Sequence, residues 1–350
     1  KGTLGMSEPL TRSAIEAAIS KYGPVLQIHP YNLCSVEWFL SNCTLIDSNN
    51  SSNNIVHPTQ TQLPHVHKKG TRYYLDIEEA VKPGDFSTAK AYVNAFWVPE
   101  QTYTDLQFWV FNAYNGHATA LFSSLLLNKP AHTGTIDLSP LGEHVGDWEY
   151  AAIRIDNSTQ DMIGIMLSAH GKNIFYNKAA VEKQFKLIQG TRPVIYSSLN
   201  GHANFPSTGP NYAEHRRILG TPAGLDFNLV NSTADGGKSL DCSQHYELVN
   251  APWLKEVFPR YKNADAVKLK VVSPPWVGYP YRWGPEGTVI HMDAKTLGNL
   301  LIAALGEKEA DPLLDTPVVL AASWLLHVFV TADINGAGAP SGQGPWSGHY

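Results

Sequence analysis

The sequence predicts a mainly β protein: an antiparallel, jelly-roll-like β-sandwich with peripheral α-helices. From about residue 70 the chain runs through short segments rich in β-branched and aromatic residues, with turn residues between them, as in sandwiches and barrels. No fixed sequence period repeats, so solenoids and propellers are excluded. With 350 residues, 43% of them hydrophobic, the chain has ample material for a core.

Helical spacing appears first, near the N-terminus. Residues 11–22 place Ile15 and Ile19 on one helical face, and Ser13 and Glu16 have the spacing of a capping box. A short strand is predicted over 25–30 and a second helix over 35–42. The polar 47–62 segment is predicted to be a surface loop.

The body of the chain is predicted to consist of strands, and the clearest hairpin surrounds the four-residue loop 157–160. An amphipathic helix is predicted over 293–309, and the tail after residue 331 has no periodic pattern. We therefore expect an N-terminal helix (1–21), a sandwich domain (22–290), and a helical extension with a Gly/Pro-rich tail packed on the same body (291–350). The predicted strands are 71–77, 106–114, 148–156, 162–170, 192–198, 245–249 and 266–272.

Composition narrows the classes of partner. A formal charge of −5 with only 26 Lys and Arg, and no basic cluster, argues against nucleic-acid binding and against a polybasic membrane anchor. No apolar run reaches the roughly 18 residues of a membrane-spanning helix. Five Asn-x-Ser/Thr sequons favour a secreted glycoprotein. The predicted glycosylation sites are Asn42, Asn49, Asn50, Asn157 and Asn231.

The three cysteines fit the same oxidising compartment if one pair forms a disulfide. No Cys-x-x-Cys spacing exists, so cysteine metal binding is not expected. Cys34 and Cys43 fall on or next to the second predicted helix, where nine residues span about 13.5 Å. Cys242 is therefore predicted to pair with one of them.

The segment 143–150, Glu-His-Val-Gly-Asp-Trp-Glu-Tyr, places one imidazole and two carboxylates within six positions. In an extended chain Asp147 and Glu149 share a face with the apolar positions Ala151, Ile153 and Ile155, which are expected to look inward. Buried carboxylates are costly unless a cation, a proton or hydrogen-bond donors meet them. The segment therefore predicts a functional site at the mouth of the core.

A second segment, 196–206, supplies another histidine from a Gly-containing loop at a strand end, where sandwiches place ligand-contacting groups. We expect His202 to meet His144 and the two carboxylates. His144, Asp147 and Glu149 suit a divalent cation, Ca, Mg, Mn or Zn. Glu149, Asp147 and His202 equally suit acid/base catalysis. Two structural alternatives stay open, with Asp147 capping backbone amides and His202 donating to a nearby carbonyl.

Polar and aromatic residues near these segments are the predicted substrate contacts. Most aromatic side chains are expected to be core material, although a few could form a sugar-stacking or lipid-contacting wall. Ser197 and Ser198 lack the Gly-x-Ser-x-Gly elbow of serine hydrolases. No phosphate loop or dinucleotide fingerprint occurs. The predicted substrate-binding residues are Tyr114, Asn115, Trp148, Asn200 and Asn204.

Several blocks resemble the vacuolar protein sorting-associated protein 62 family and its secreted fungal branch. They include Tyr-Gly-Pro-Val-Leu-Gln-Ile-His-Pro at 22–30, Phe-Trp-Val-Phe-Asn-Ala-Tyr-Asn-Gly at 108–116, and Asn-Gly-His-Ala-Asn-Phe-Pro at 200–206, in the family's order. This resemblance does not imply a particular biochemical activity. Residues 117–141 are an insertion relative to the family pattern and suggest contacts specific to this branch.

The segment 142–149 is also similar to the Gly-His-Arg-His-Asp-Trp-Glu motif of necrosis- and ethylene-inducing-peptide-like proteins. That resemblance implies a β-sandwich that holds a divalent cation and engages glycolipid sugars. We therefore predict a secreted enzyme with metal-assisted or acid/base chemistry, hydrolase- or lyase-like, on a neutral hydroxyl-rich or apolar small molecule. The alternatives are a non-catalytic glycan or glycolipid binder with a bound cation, and a cyclisation enzyme of secondary metabolism with an aromatic pocket.

Overall fold

The computed structural model describes residues 8–28, 32–98, 101–124, 134–137, 142–169, 172–212, 225–251, 273–287 and 335–350. Within these ranges the α-helices are α1 (Arg12–Tyr22), α2 (Val36–Leu40) and α3 (Lys178–Gln184). The strands are β1 (Val25–Ile28), β2 (Leu33–Cys34), β3 (Cys43–Asp47), β4 (Ile55–Val56), β5 (Tyr73–Ile77), β6 (Ala91–Phe96), β7 (Tyr103–Asn115), β8 (Thr119–Ser124), β9 (Gly134–Asp137), β10 (His144–Asp156), β11 (Met162–Ala169), β12 (Lys172–Asn177), β13 (Leu187–Ile188), β14 (Arg192–Ser197), β15 (Asn204–Phe205), β16 (Gly209–Tyr212), β17 (Leu225–Thr233), β18 (Lys238–Asp241) and β19 (Tyr246–Asn250).

The prediction of a mainly β fold with peripheral helices is confirmed. The largest sheet has the order β12-β11-β10-β7-β6-β19, with β2 pairing beside β7, and a second sheet has the order β13-β14-β1-β18, with β15 beside β14. Two smaller sheets have the orders β16-β17-β8-β9 and β4-β3-β5. Most pairs are antiparallel, but β1 with β14 and β6 with β19 are parallel, so the two main sheets are mixed.

The large sheet carries a hydrophobic core on each face, because alternate residues of its strands point to opposite sides. On one face, Phe108 and Ile153 pack with α1, β1, β14 and α3 in a core that we call the inner core. On the other face, Trp109 and Trp148 pack with α2, β3 and β5 in an aromatic-rich core that we call the outer core. The sheet therefore lies between two covering layers.

Helix α1 is confirmed, but its predicted cap is wrong. The N-cap is Thr11, whose Oγ1 accepts a hydrogen bond from the Ala14 backbone N–H at 3.2 Å. Ser13 lies inside the helix, and Glu16 accepts from the Arg12 side chain at 2.8 Å instead of returning to a cap. Thr11 is the cap because its backbone is extended, as an N-cap requires.

Several strands were not predicted, and β6 shows the reason. The sequence Ala-Tyr-Val-Asn-Ala-Phe is interrupted by Asn94, which is fully buried and donates to Gln107 Oε1 of β7 at 3.0 Å. Asparagine is typical of loops, so the sequence pattern does not predict a strand here, although the Asn94 side chain belongs to a buried hydrogen-bond network. The predicted hairpin around 157–160 is confirmed by the antiparallel pairing of β10 with β11. The predicted helix 293–309 and strand 266–272 lie outside the described residues.

The cysteine prediction is wrong. Helix α2 is only five residues long, so Cys34 lies on β2, Cys43 on β3, and both side chains pack in the outer core. Cys242 packs in the inner core, on the other side of the large sheet. All three thiols are free and buried, and no disulfide is present.

We therefore expect all three thiols to be unreactive in the folded protein. Burial raises the pKa of Cys34, Cys43 and Cys242, and only the thiolate attacks a disulfide reagent. Ellman's reagent should release almost no chromophore from the native chain and about three equivalents after denaturation. Fewer than three equivalents in denaturant without reductant would instead reveal a disulfide.

The tail at 335–350 packs on the large sheet. The Asn94 side chain donates to the Trp346 carbonyl at 3.0 Å, and the Tyr350 hydroxyl donates to Asp105 Oδ2 at 3.0 Å. The Ala337 backbone N–H donates to the Gly146 carbonyl of β10 at 3.2 Å. The tail thus supports the part of β10 that carries the predicted site. None of the helices in the described residues combines the length and apolarity that crossing a membrane requires.

Candidate functional site

Strand β10 carries the two predicted carboxylates on the side of the inner core. Ala151, Ile153 and Ile155 pack in that core, and alternation places Asp147 and Glu149 on the same face, as predicted. Asp147 is 9% exposed, and its direct partner across the antiparallel pair is Asn112 of β7. The carboxylates therefore lie where the apolar core gives way to polar side chains.

A kink at Gly146 changes the side of the sheet to which the preceding side chains point. Val145 and Trp148 both pack in the outer core, although strict alternation places residues three apart on opposite faces. Gly146 has a left-handed φ of +67°, which reverses the alternation locally. Consequently His144 comes close enough to Asp147 for its charge to act on that carboxyl group.

The second histidine enters from the turn between β14 and β15. The Ser198 N–H donates to the Ala203 carbonyl at 2.8 Å, and the His202 N–H donates to the Ser198 carbonyl at 3.2 Å. Asn200 and His202 both have positive φ, +67° and +54°, which is strained for residues other than glycine. Strained backbone of this kind concentrates at functional sites.

His202 and Asp147 form a buried carboxylate–imidazole dyad. His202 Nδ1 lies 3.0 Å from Asp147 Oδ2, and His202 is only 3% exposed. The carboxylate can only accept, so Nδ1 carries a proton, and in the uncharged form of the ring Nε2 holds the lone pair. Nε2 is buried and has no hydrogen-bond partner among the residues that the structure describes. The ring therefore bonds to a carboxylate and not to a carbonyl, the structural alternative considered above.

The same turn fixes Asn204 over the strand. Asn204 Nδ2 donates to the Tyr150 carbonyl at 3.2 Å, while its Oδ1 is buried without a partner. Ser198 Oγ is also buried and unpartnered, but it lies toward Gly201 and Asn231, on the side of β17. Ser198 is thus no member of the Asp147–His202 dyad.

The two carboxyl groups have opposite electrostatic settings. Burial by itself would raise the pKa of Asp147, but the His202 hydrogen bond and the charges of His144 and His202 outweigh it, so that pKa is lowered. Burial, and then the negative charge of Asp147, raise the pKa of Glu149 well above its usual value. Glu149 is half-buried, and no described residue offers its carboxyl group a hydrogen bond. Environments that shift the pKa values of two neighbouring carboxyl groups in opposite directions are typical of acid/base sites.

Glu149 should make the folded state less stable as pH rises. In the unfolded chain it ionises above about pH 4.3, whereas in the folded chain its raised pKa keeps the proton. The free energy of unfolding therefore falls as pH increases through this window. We expect Glu149→Gln to raise the melting temperature at pH 8 and to change it little near pH 4. A stabilisation that is equal at both pH values would contradict the raised pKa.

His144 completes the cluster from the other side of the kink. Its Nδ1 lies 3.1 Å from the Gly146 carbonyl, which can only accept, so Nδ1 carries a proton, and in the uncharged form of the ring Nε2 holds the lone pair. Both imidazoles thus present Nε2. Within the ranges that the structure describes, however, no group of three or more His, Cys, Asp or Glu side chains is arranged to hold a metal ion. The predicted ligands His144, Asp147 and Glu149 do not form a complete cation site by themselves.

The predicted substrate contacts separate into two groups. Asn200 and Asn204 lie on the segment that carries His202, and Asn115 pairs with His144, whereas Tyr114 and Trp148 pack against the outer core. Trp148 packs in the outer core, with its ring stacked on that of Trp276 at 5.2 Å, so the sheet separates it from Asp147. Its ring points away from Asp147 because neighbouring residues on a strand point to opposite faces, and its role in substrate binding stays a prediction.

The structure adds residues to the mouth of the site that were not assigned from the sequence. The Tyr114 hydroxyl donates to Glu143 Oε2 at 2.5 Å, and His117 Nδ1 lies 4.0 Å from Glu143 Oε1. His117 Nε2 lies 3.1 Å from Asn200 Nδ2, on the turn that carries His202. The adjacency of Glu143 to His144 was the one sequence signal for this chain of contacts.

The predicted glycosylation sites differ in exposure. Asn49 and Asn50 are exposed, Asn42 and Asn157 are half-buried, and Asn231 is buried. A glycan has room at Asn49 and Asn50, and the least room at Asn231.

Comparison with known proteins decides the family. The model of the vacuolar protein sorting-associated protein 62 family matches residues 6–309. This chain belongs to the vacuolar protein sorting-associated protein 62 family. Vacuolar protein sorting-associated protein 62 of Saccharomyces cerevisiae is 26% identical over 174 residues, which are 42% of this chain and 35% of the yeast protein. The TDA6 protein of the same yeast is 28% identical over 140 residues, 33% of this chain and 29% of that protein. The matches thus span about a third of each yeast protein.

Solved structures of necrosis- and ethylene-inducing-type proteins are more distant matches. One is necrosis and ethylene inducing protein 2 from the causal agent of witches' broom disease of cocoa, with 20% identity, a TM-score of 0.30, and coverage of 57% of this chain and 71% of that one. Another is NLPPya in complex with mannosamine, with 15% identity, a TM-score of 0.29, and coverage of 67% and 76%.

Proposed function

We propose that this member of the family is an enzyme that uses the Asp147–His202 dyad for acid/base chemistry on a neutral small molecule. The observation that carries the proposal is the 3.0 Å bond between His202 Nδ1 and Asp147 Oδ2, which leaves Nε2 buried and without a partner. A carboxylate that orients an imidazole and stabilises its protonated form is the arrangement of a general base.

Glu149 supplies the complementary acid. Its pKa is raised by burial and by the charge of Asp147, so of the two carboxyl groups it holds a proton more readily and can donate it to a leaving group. His202 Nε2 removes a proton from water or a substrate hydroxyl, and Glu149 delivers its own proton to the departing oxygen. The acidic surroundings repel phosphate and carboxylate groups, so the substrate is neutral. Hydrolysis or elimination of a neutral glycoside or ester is the reaction class that these roles fit.

A panel of neutral 4-nitrophenyl glycosides and esters tests this proposal. We expect release of 4-nitrophenol from one class of compound, and a loss of at least about 100-fold in the His202→Gln variant. His245→Gln is the matched control, because His245 is exposed and remote from the site in sequence. Equal release by the two variants, or no release from any compound, would contradict the proposal.

A non-catalytic glycan or glycolipid binder that holds a divalent cation is the second candidate. Both imidazoles are held through Nδ1 and leave Nε2 for a ligand, which is the usual preparation of metal-binding histidines. His144 and Glu149 would then ligate Ca, Mg, Mn or Zn. Calorimetric titration with each metal ion should show binding that His144→Ala removes, and heats equal to dilution would refute it.

A cyclisation enzyme with an aromatic pocket is not supported by the packing. The outer core, which contains Trp148, Trp276 and Trp283, lies on the opposite face of the sheet from Asp147 and His202. Secretion remains part of the proposal, since exposed Asn49 and Asn50 have room for glycans.

A further inference from the structure

We propose that the site recognises a polyol, through a pair of hydrogen-bond acceptors, His202 Nε2 and Asn204 Oδ1, that take O–H groups from one neutral molecule. This inference rests on the proposed function and selects hydroxyl-rich substrates over apolar ones.

The hydrogen bond made by the other nitrogen of each side chain determines that Nε2 and Oδ1 are acceptors. The Asp147 carboxylate accepts from His202 Nδ1, so Nε2 of the neutral ring can only accept. The Tyr150 carbonyl accepts from Asn204 Nδ2, so the amide oxygen is the free end of that side chain. His202 is 3% exposed and Asn204 is 2% exposed, and neither acceptor atom has a partner. Buried polar atoms in folded proteins are nearly always satisfied, so two unsatisfied acceptors only two residues apart point to a ligand that donates.

The two side chains that carry the acceptors are anchored to the same strand, β10. Their anchors on β10 are Asp147 and Tyr150, and three residues of strand span about 10 Å. Glu149 lies between these anchors on the face that carries Asp147. A ring with several hydroxyl groups can therefore reach both acceptors and the Glu149 carboxyl group together.

Hydroxyl groups are neutral and can donate to both acceptors as well as bond to the Glu149 carboxyl group. An ether or a carbonyl cannot donate to Nε2 or Oδ1. A hydroxyl group donates one hydrogen bond and accepts others. The buried acceptors thus discriminate strongly against analogues without O–H groups, because such analogues leave both acceptors unpaired.

Access requires a movement of the turn from Ser198 to Ala203. Its two left-handed residues other than glycine, Asn200 and His202, are strained, and strain of this kind marks segments that change conformation on binding. We infer that the turn shifts to admit the ligand and then closes over it.

Matched pairs of polyols test the inference. The ¹⁵N-labelled chain is titrated with myo-inositol, glucitol and methyl β-glucoside, and with the fully O-methylated form of each, which keeps the oxygens but loses every O–H donor. We expect at least one polyol to shift the resonances of His202 and Asn204, with an affinity at least about tenfold above its methylated form. Asn204→Leu should abolish that preference, whereas Asn250→Leu should keep it, since Asn250 is also buried with an unpartnered Oδ1 but lies elsewhere.

Equal binding within every pair, or binding by none, would overturn the inference, and the wild-type comparison decides this even if a variant fails to fold. Loss of chromogenic turnover in His202→Gln together with equal binding in all pairs leaves the proposed function standing and removes the polyol inference. Turnover that is independent of His202 removes the proposed function itself.

Discussion

Replacing Asp147 by Asn is expected to lower turnover by about 10³- to 10⁴-fold while leaving the fold intact. The amide has the shape of the carboxylate, but it carries no charge to stabilise protonated His202. It can also rotate and present its NH₂ group to Nδ1, which would place the imidazole proton on Nε2, the atom that must act as base. The fall should appear in kcat and kcat/KM alike, because the interaction is needed only when His202 takes a proton.

Asp161→Asn is the matched control for this variant. Asp161 is exposed and accepts from Lys21 and Tyr22 at the surface, on the loop between β10 and β11. We expect it to retain turnover within about twofold. If Asp147→Asn behaves in the same way as this control, the carboxylate does not act on His202 during the reaction.

Gly146→Ala is expected to destabilise the chain by about 4 kcal/mol. An alanine Cβ at this position would lie 2.2 Å from the Trp283 carbonyl oxygen, and backbone cannot move aside as a flexible side chain can. Overpacking of this kind costs about 1–3 kcal/mol, and the left-handed φ of +67° adds about 1–3 kcal/mol for a residue with a Cβ. The free energy of unfolding, measured in urea, gives the loss directly.

Gly190→Ala separates the two contributions. Gly190 has a similar φ of +75°, but nothing lies within 4 Å of an added Cβ. This control should therefore lose only the conformational part, about 1–3 kcal/mol. Equal losses for the two variants would mean that the close approach of β10 to Trp283 does not constrain the kink.

The sequence was sufficient to predict which face of the sheet carries Asp147 and Glu149, because the alternation of side chains along a strand is a local property. Asp147 and Glu149 share a side with Ala151 and Ile153 for the same reason that any residues two apart do so. The meeting of His202 with Asp147 was a weaker inference. It depended on two loops reaching the same end of a sheet, and only the packing of the 198–203 turn over β10 fixes it.

What the sequence could not provide depends on long-range contacts. The kink at Gly146 arises from the backbone of Trp283 and from Ala337 of the tail, more than 100 residues away, and no local pattern signals it. The helix boundary near Cys43 was misplaced because α2 ends at Leu40, and Cys34 and Cys43 lie on strands that pack in one core. Trp148 was assigned to the site through its neighbours in the motif, although alternation directs its ring into the outer core.

The tautomer of His202 tests the central claim most directly, and it requires no substrate. In ¹⁵N-labelled protein at pH 8, two-bond ¹H–¹⁵N correlations distinguish the protonated ring nitrogen from the one with a lone pair. The account predicts a protonated Nδ1 and an unprotonated Nε2 for His202, and a changed pattern in Asp147→Asn. A proton on Nε2 in the wild-type chain, or a ring that exchanges freely between both tautomers, would contradict it.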